Sequence, residues 1–173
     1  LTDVTGVQTC ALPIYSKRYQ FIAEHRGGPL KKENHRKLIR WARECSENVL
    51  YLIRDDIDKR LLYALDIARQ WENDEVPTGT AMKASLGSHA VAREVEDPVY
   101  KAVARSVGQT VATAHMADHS AGGAFYALKA VKLAGKDIGK EREWQIQKLN
   151  ELPSELIEII QNMWTAKKLD RRI

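Results

Sequence analysis

The stretch "DPVYKAVARSVGQTVATAH", residues 97–115, carries the clearest helix signals of the chain. Asp97 suits the N-cap of a helix, where its carboxylate accepts free backbone amides, and Pro98 suits the first helical position. Valines then recur every four residues between alanines, at Val99, Val103, Val107 and Val111. Because small side chains let helix axes approach closely, the stretch predicts a central helix that other helices cover.

Helical spacing of apolar residues continues through most of the chain, and nothing reads as a strand. A turn at 27–29 precedes the first long helix, and the second runs out near Asn73. The central helix is expected to reach about His115, and others should cover about 80–95, 120–134, 138–149 and 153–168. We therefore predict an all-α fold, a single compact domain of about seven helices joined by short loops.

The first residues do not fit this pattern. "VTGVQTCALPI", residues 4–14, matches the in-frame translation of a commercial DNA-sequencing adapter, and the next residue, Tyr15, agrees with the adapter's last base. We therefore predict that residues 1–15 are a non-native, adapter-derived leader in a metagenomic reading frame, and that the domain spans 16–173.

Charge is unevenly distributed along the chain. The net charge is +4, but segment 16–43 alone carries nine basic residues against two acidic ones. Such a segment could bind phosphates, which makes a nucleic-acid-binding helical domain one alternative function. A solvated face of the first helix explains the same residues, and we do not expect nucleic acid to be the partner.

The cysteine content and hydropathy indicate the compartment. With the leader set aside, Cys45 is the one remaining cysteine, which suits a reducing compartment. No apolar run reaches the roughly 18 residues of a membrane span. We therefore predict a cytoplasmic protein that does not associate with a membrane.

"HMADH", residues 115–119, is the sharpest candidate for chemistry. His115 and His119 are four residues apart, and on a continuous helix both imidazoles would share one face, as a zinc site requires. Asp118 and His89 could add ligands. A metal-dependent helical enzyme using the two histidines is therefore a second alternative function.

Two features of the same region favour a structural role instead. Met116 stands where the zincin pattern needs glutamate. The run "DHSAGG", residues 118–123, is typical of a helix break, which would point the two histidines apart. The chain also contains no Gly-x-Ser-x-Gly elbow, and Cys45 lies on an apolar helix stripe. We therefore expect neither catalysis nor a cofactor.

Several blocks taken together resemble a known family. They are "HRGGPL", "HRKLIRWARECSENVL", "DKRLLYALDIARQW", "ARSVGQTVATAHMADHSAGGAFYALKAV" and "EREWQ", with "LP" following. In this order they are similar to the Imm-five-like group of immunity proteins from bacterial polymorphic toxin systems. The similarity covers about 24–173, and "VATAHMADHS" is its most specific part.

The resemblance implies an all-α protein that binds and neutralises a cognate bacterial toxin without catalysis. It supplies no established catalytic residues. The basic first helix and one tryptophan offer anchors for a protein partner, and the candidates are Arg36, Arg40, Arg43 and Trp144. One departure concerns Gly122 and Gly123, which should weaken the first turn of their helix by roughly 1 kcal/mol each relative to alanine.

Overall fold

The structure is a computed structural model that describes residues 18–54 and 56–173, and seven α-helices account for most of them. The helices are α1 (Lys32–Glu47), α2 (Lys59–Glu72), α3 (Thr78–Glu94), α4 (Pro98–Ala112), α5 (His119–Leu133), α6 (Ile138–Leu149) and α7 (Ser154–Ala166). Short 3-10 helices lie at Glu24–Arg26, Leu50–Leu52 and Leu169–Arg171.

The predicted all-α fold is confirmed. Within the described ranges no β-strand occurs, and one isolated bridge joins Ala23 to Leu30. In the same ranges no helix has the length and apolarity needed to cross a membrane. The predicted leader, residues 1–15, lies outside the described residues.

Helix α4 begins where the sequence predicted. The Asp97 carboxylate accepts a hydrogen bond from the backbone N–H of Tyr100 at 2.8 Å, and Pro98 occupies the first turn. The Tyr100 hydroxyl accepts from the backbone N–H of Asp58 at 2.7 Å and donates to the carbonyl of Asp56 at 3.1 Å. These bonds tie the start of α4 to the segment that leads into α2.

Helix α4 lies at the centre of the domain. It packs against α1, α2, α3 and α5, and Val103, Val107 and Val111 are completely buried. A central, well-covered helix is therefore confirmed, and its alanines and Gly108 explain how four neighbours fit around it.

Buried hydroxyl groups lie between α4 and its neighbours α1 and α5. Ser46 of α1 lies 2.7 Å from both the Ser106 and the Thr110 hydroxyl oxygens. Thr110 also donates to the carbonyl of Ala42, and Ser106 donates to the carbonyl of Gly123 on α5. Because each of these buried hydroxyl groups has a hydrogen-bond partner, burying them costs little free energy.

The two glycines of α5 have a packing reason that the sequence did not show. A Cβ atom at Gly123 would lie 2.6 Å from the Thr110 hydroxyl and 3.3 Å from the Ala42 side chain. At Gly122 it would lie 2.6 Å from the Gln109 side-chain oxygen. The expectation that alanine would be better at both positions considered helix propensity alone, and at Gly123 close packing opposes it.

Helix α4 ends three residues earlier than predicted. It stops at Ala112, a turn covers 113–118, and α5 begins at His119. The buried His35 ring of α1 supports this turn, because its Nε2–H donates to the Thr113 carbonyl at 2.5 Å. A carbonyl can only accept, so the proton of the neutral ring must be on Nε2.

Candidate functional site

The turn between α4 and α5 separates the two histidines of "HMADH". His115 lies exposed in the turn, whereas His119 starts α5 and its Nδ1 lies 2.8 Å from the Gln109 side-chain oxygen. They therefore do not share one continuous helix, and the helix break is the arrangement observed.

The other two metal candidates have partners within the protein. His89 lies on α3 against Gly108, and its Nδ1 accepts from the Arg105 guanidinium at 3.1 Å. Asp118 contacts Arg18 and Lys167. In the part of the chain that the structure describes, no group of three histidine, cysteine, aspartate or glutamate side chains is placed to hold a metal ion. The metal site stays a prediction without geometric support.

Asp118 is a buried carboxylate that joins distant parts of the chain. Only 2% of its side chain is exposed, and Oδ2 lies 3.0 Å from Arg18 and 3.6 Å from Lys167. Its Oδ1 has no hydrogen-bond partner among the described residues. Asp118 occupies the N-cap position of α5, but its side chain makes no capping bond. Its contacts indicate that it anchors segments preceding α1 and following α7.

Three histidines make the stability of the fold depend on pH. Burial lowers the pKa of His35, His89 and His119, for His89 to about 4. An unfolded histidine has a pKa of about 6.5, so below that pH the unfolded chain binds more protons than the folded one. The stability is therefore complete above the unfolded value and is lost as pH falls toward the folded values.

We expect the free energy of unfolding to fall by about 1 kcal/mol for His89 alone between about pH 7 and pH 5, allowing for its partial exposure. Burial raises the pKa of Glu141, so this carboxyl stabilises the fold as pH falls. Its contribution opposes that of the three histidines but comes from one group only. Urea unfolding at several pH values measures how steeply the free energy of unfolding changes with pH, and His89→Gln is the matched variant. If the free energy of unfolding of that variant changed with pH as steeply as that of the natural sequence, the assignment to His89 would be contradicted.

The predicted partner-binding arginines of α1 contact acidic residues. Arg36 lies 2.6 Å from the Asp74 carboxylate, and the Arg40 Nε lies 2.5 Å from that of Glu72. Arg43 reaches the other oxygen of Glu72 at 3.3 Å. Much of the charge that a nucleic-acid interface would use is thus paired within the chain. A role for these arginines in binding a partner stays a prediction.

Trp144, the remaining predicted anchor, lines a pocket between α6 and the 3-10 helix Leu50–Leu52. The pocket has a volume of about 340 Å³. Tyr51 also lines it, with 66% of its surface exposed, while Trp144 is half-buried against the core. Glu141 lines the same pocket, and we call this the Glu141 pocket. It combines two aromatic side chains with a carboxylate.

Neutral groups hold the carboxylate of this pocket. The Asn48 amide donates to Glu141 Oε2 at 2.7 Å, and the Gln145 amide donates to Oε1 at 3.0 Å. Burial raises the pKa of Glu141, and burial together with this carboxyl raises the pKa of the enclosed Cys45 thiol. Cys45 is therefore a core thiol, as its place on an apolar stripe suggested.

A family model with the description "Imm-5 like putative immunity protein" matches residues 28–152. The chain belongs to this family. No curated protein and no solved structure matches the chain significantly.

The Imm-5 like match includes some of the candidate regions and leaves others outside its range. It contains the α4–α5 turn, the three arginines and every residue of the Glu141 pocket. Arg18 and Lys167, the two cations that contact Asp118, lie outside the matched range. The Glu141 pocket is thus built wholly from the part of the chain that the family model matches.

Sequence reasoning missed Tyr51, Glu141 and Gln145. Ile138, Glu141, Gln145 and Leu149 follow one another at helical spacing, and the last three are buried. That stripe was a usable signal, because a polar side chain on an inward face must find a partner. Nothing in the sequence indicated that Tyr51 would be exposed.

Proposed function

We propose that the protein binds a cognate bacterial toxin and blocks it, acting by contact and not by catalysis. Membership of the Imm-5 like family supports this directly, because an immunity protein acts on a toxin. The interaction is proposed to take place in the bacterial cytoplasm, an environment that suits the free thiol of Cys45.

One structural observation carries the proposal furthest: Tyr51 is two-thirds exposed beside Trp144, on helices anchored in a well-packed core. Tight protein interfaces usually depend on a few aromatic or charged anchors, and tryptophan, tyrosine and arginine are the commonest among them. Tyrosine and tryptophan side chains have few rotatable bonds, so they lose little conformational entropy on binding, which favours a tight complex. The Glu141 pocket therefore has the composition of an interface centre.

Co-expression with the product of the neighbouring gene tests the proposal. We expect cells that make the neighbouring protein alone to stop growing, and cells that also make this protein to grow and to yield both proteins as one complex. A toxin of unrelated sequence serves as the control and should not be neutralised. Growth arrest despite normal levels of folded protein, with no co-purification, would contradict the proposal.

A further inference from the structure

The charge balance of the buried carboxylates points to a specific ligand. Glu72, Asp118 and Glu141 are the buried acidic residues within the described ranges. Arginine or lysine nitrogens contact Glu72 and Asp118, at distances between 2.5 and 3.6 Å. In the same ranges no such nitrogen lies within 4.0 Å of Glu141. Among the described residues, Glu141 is thus the one buried carboxylate of the three without a cationic partner.

The hydrogen bonds to Glu141 leave room for a cationic partner. Each carboxylate oxygen accepts a single amide N–H, from Asn48 or from Gln145. A carboxylate has about four lone-pair sites, so each oxygen can accept a further donor. Gln145 is held in place, because its amide also donates to the Ala124 carbonyl at 3.2 Å. The carboxylate is therefore positioned before any ligand arrives.

The walls of the pocket favour a cation with a flat, extended surface. Tyr51 and Trp144 offer aromatic side chains next to the carboxylate, and the faces of such rings attract cations. A guanidinium group can stack on an aromatic ring and also form two parallel hydrogen bonds with a carboxylate, which an ammonium group cannot do. The pocket therefore suits arginine better than lysine.

The two lysines of the pocket do not prevent an arginine side chain from binding. Lys136 and Lys140 line it, but both side chains are exposed and can turn into solvent. Asp137, which lies between them, offsets part of their charge while its carboxylate caps α6. The lysines also provide the discriminating variant, because they would assist an anionic ligand and oppose a cationic one.

We infer that the Glu141 pocket binds an arginine side chain presented by the cognate toxin, with the guanidinium against Tyr51 and Trp144 and hydrogen-bonded to Glu141. This identity of the ligand depends on the proposed function, whereas the ability of the pocket to bind a guanidinium does not. Two experiments therefore separate the two ideas.

The first experiment uses N-acetyl-arginine amide as the probe and follows the Trp144 indole and Asn48 amide signals by NMR. We expect saturable shifts with a dissociation constant of about 10 mM, as befits a small ligand. N-acetyl-citrulline amide, which has nearly the same shape without the charge, should bind at least about tenfold more weakly. Equal binding of the two probes, or no saturable shift up to about 100 mM, would overturn the inference.

Variants give the sign of the charge that the pocket prefers. Glu141→Gln keeps the shape and should weaken the arginine probe about tenfold, whereas Lys140→Gln should leave binding unchanged or strengthen it. Tyr51→Ala removes an exposed ring and should weaken the probe without lowering the stability. The reverse pattern, with weaker binding in Lys140→Gln only, would show an anion site and overturn the inference.

The second experiment repeats the co-expression assay with the same variants. If the natural sequence protects cells, we expect Glu141→Gln and Tyr51→Ala to lower the affinity for the toxin about a hundredfold, and Lys140→Gln, which removes a like charge, to bind the toxin no more weakly than the natural sequence does. Full affinity in folded Glu141→Gln and Tyr51→Ala would overturn the pocket and leave the proposed function standing. If the natural sequence does not protect, the proposed function fails and the probe experiment alone decides the pocket.

Discussion

Replacing Gly123 by alanine is expected to destabilise the protein by about 2 kcal/mol, even though alanine is the better helix former by roughly 1 kcal/mol. The added methyl group would lie 2.6 Å from the Thr110 hydroxyl oxygen and 3.3 Å from the Ala42 methyl group. Thr110 cannot simply rotate away, because its hydroxyl donates to the Ala42 carbonyl and bonds to the Ser46 hydroxyl. Either these hydrogen bonds break or α5 moves outward from α1 and α4.

Two other glycines provide matched controls. A Cβ atom at Gly87, inside α3, would have no neighbour within 4 Å, so Gly87→Ala should stabilise the protein by up to about 1 kcal/mol. At Gly122 the neighbour is the end of the Gln109 side chain, which can move at the cost of its contact with His119. The stability of Gly122→Ala should lie between those of Gly123→Ala and Gly87→Ala.

Urea unfolding of the three variants measures this order, with the midpoint reporting stability while the slope stays constant. If Gly123→Ala were as stable as Gly87→Ala, helix propensity would outweigh packing at this crossing. The helices would then be further apart than the structure shows.

The central helix could be predicted from the sequence because its signals are local. Asp97 and Pro98 define its start within two residues, and the valine period needs only the next four turns. Its end was predicted three residues late, because that boundary depends on a distant contact. The His35 side chain reaches the Thr113 carbonyl from 78 positions away. No window along the sequence contains that hydrogen bond.

The electrostatic partners of the candidate site were hidden for the same reason. Arg40 and Arg43 are recognisable as a basic face, but their partner Glu72 lies on the next helix. Asn48 and Glu141 are separated by 93 positions along the chain and meet only in the fold. Composition showed an excess of positive charge near the N-terminal part, and only the fold shows how much of it is neutralised.

Replacing Trp41 by alanine should lower the stability more than Gly123→Ala does, with a loss of about 3–5 kcal/mol. Only 3% of this side chain is exposed, and it joins α1 to α6, where its indole N–H donates to the Gln145 carbonyl at 3.1 Å. The variant would lose the buried apolar surface, leave a cavity and lose the indole hydrogen bond to that carbonyl. A typical domain has a total stability of only about 5–15 kcal/mol, so this one change would remove a large share of it.

The consequence should extend to the Glu141 pocket, because Gln145 connects the two sites. Its backbone carbonyl accepts from Trp41, and its side chain donates to Glu141. Trp41→Phe retains most of the apolar volume but not the donor, so it should cost about 1–2 kcal/mol and weaken the arginine probe much less than Glu141→Gln does.

Trp164→Ala is the control, because its half-buried indole donates to the exposed Asp170 and its removal should cost less than Trp41→Ala. A loss below about 1 kcal/mol in Trp41→Ala would show that α6 is not fastened to the core through this side chain, and the rigid support assumed for the pocket would then be missing.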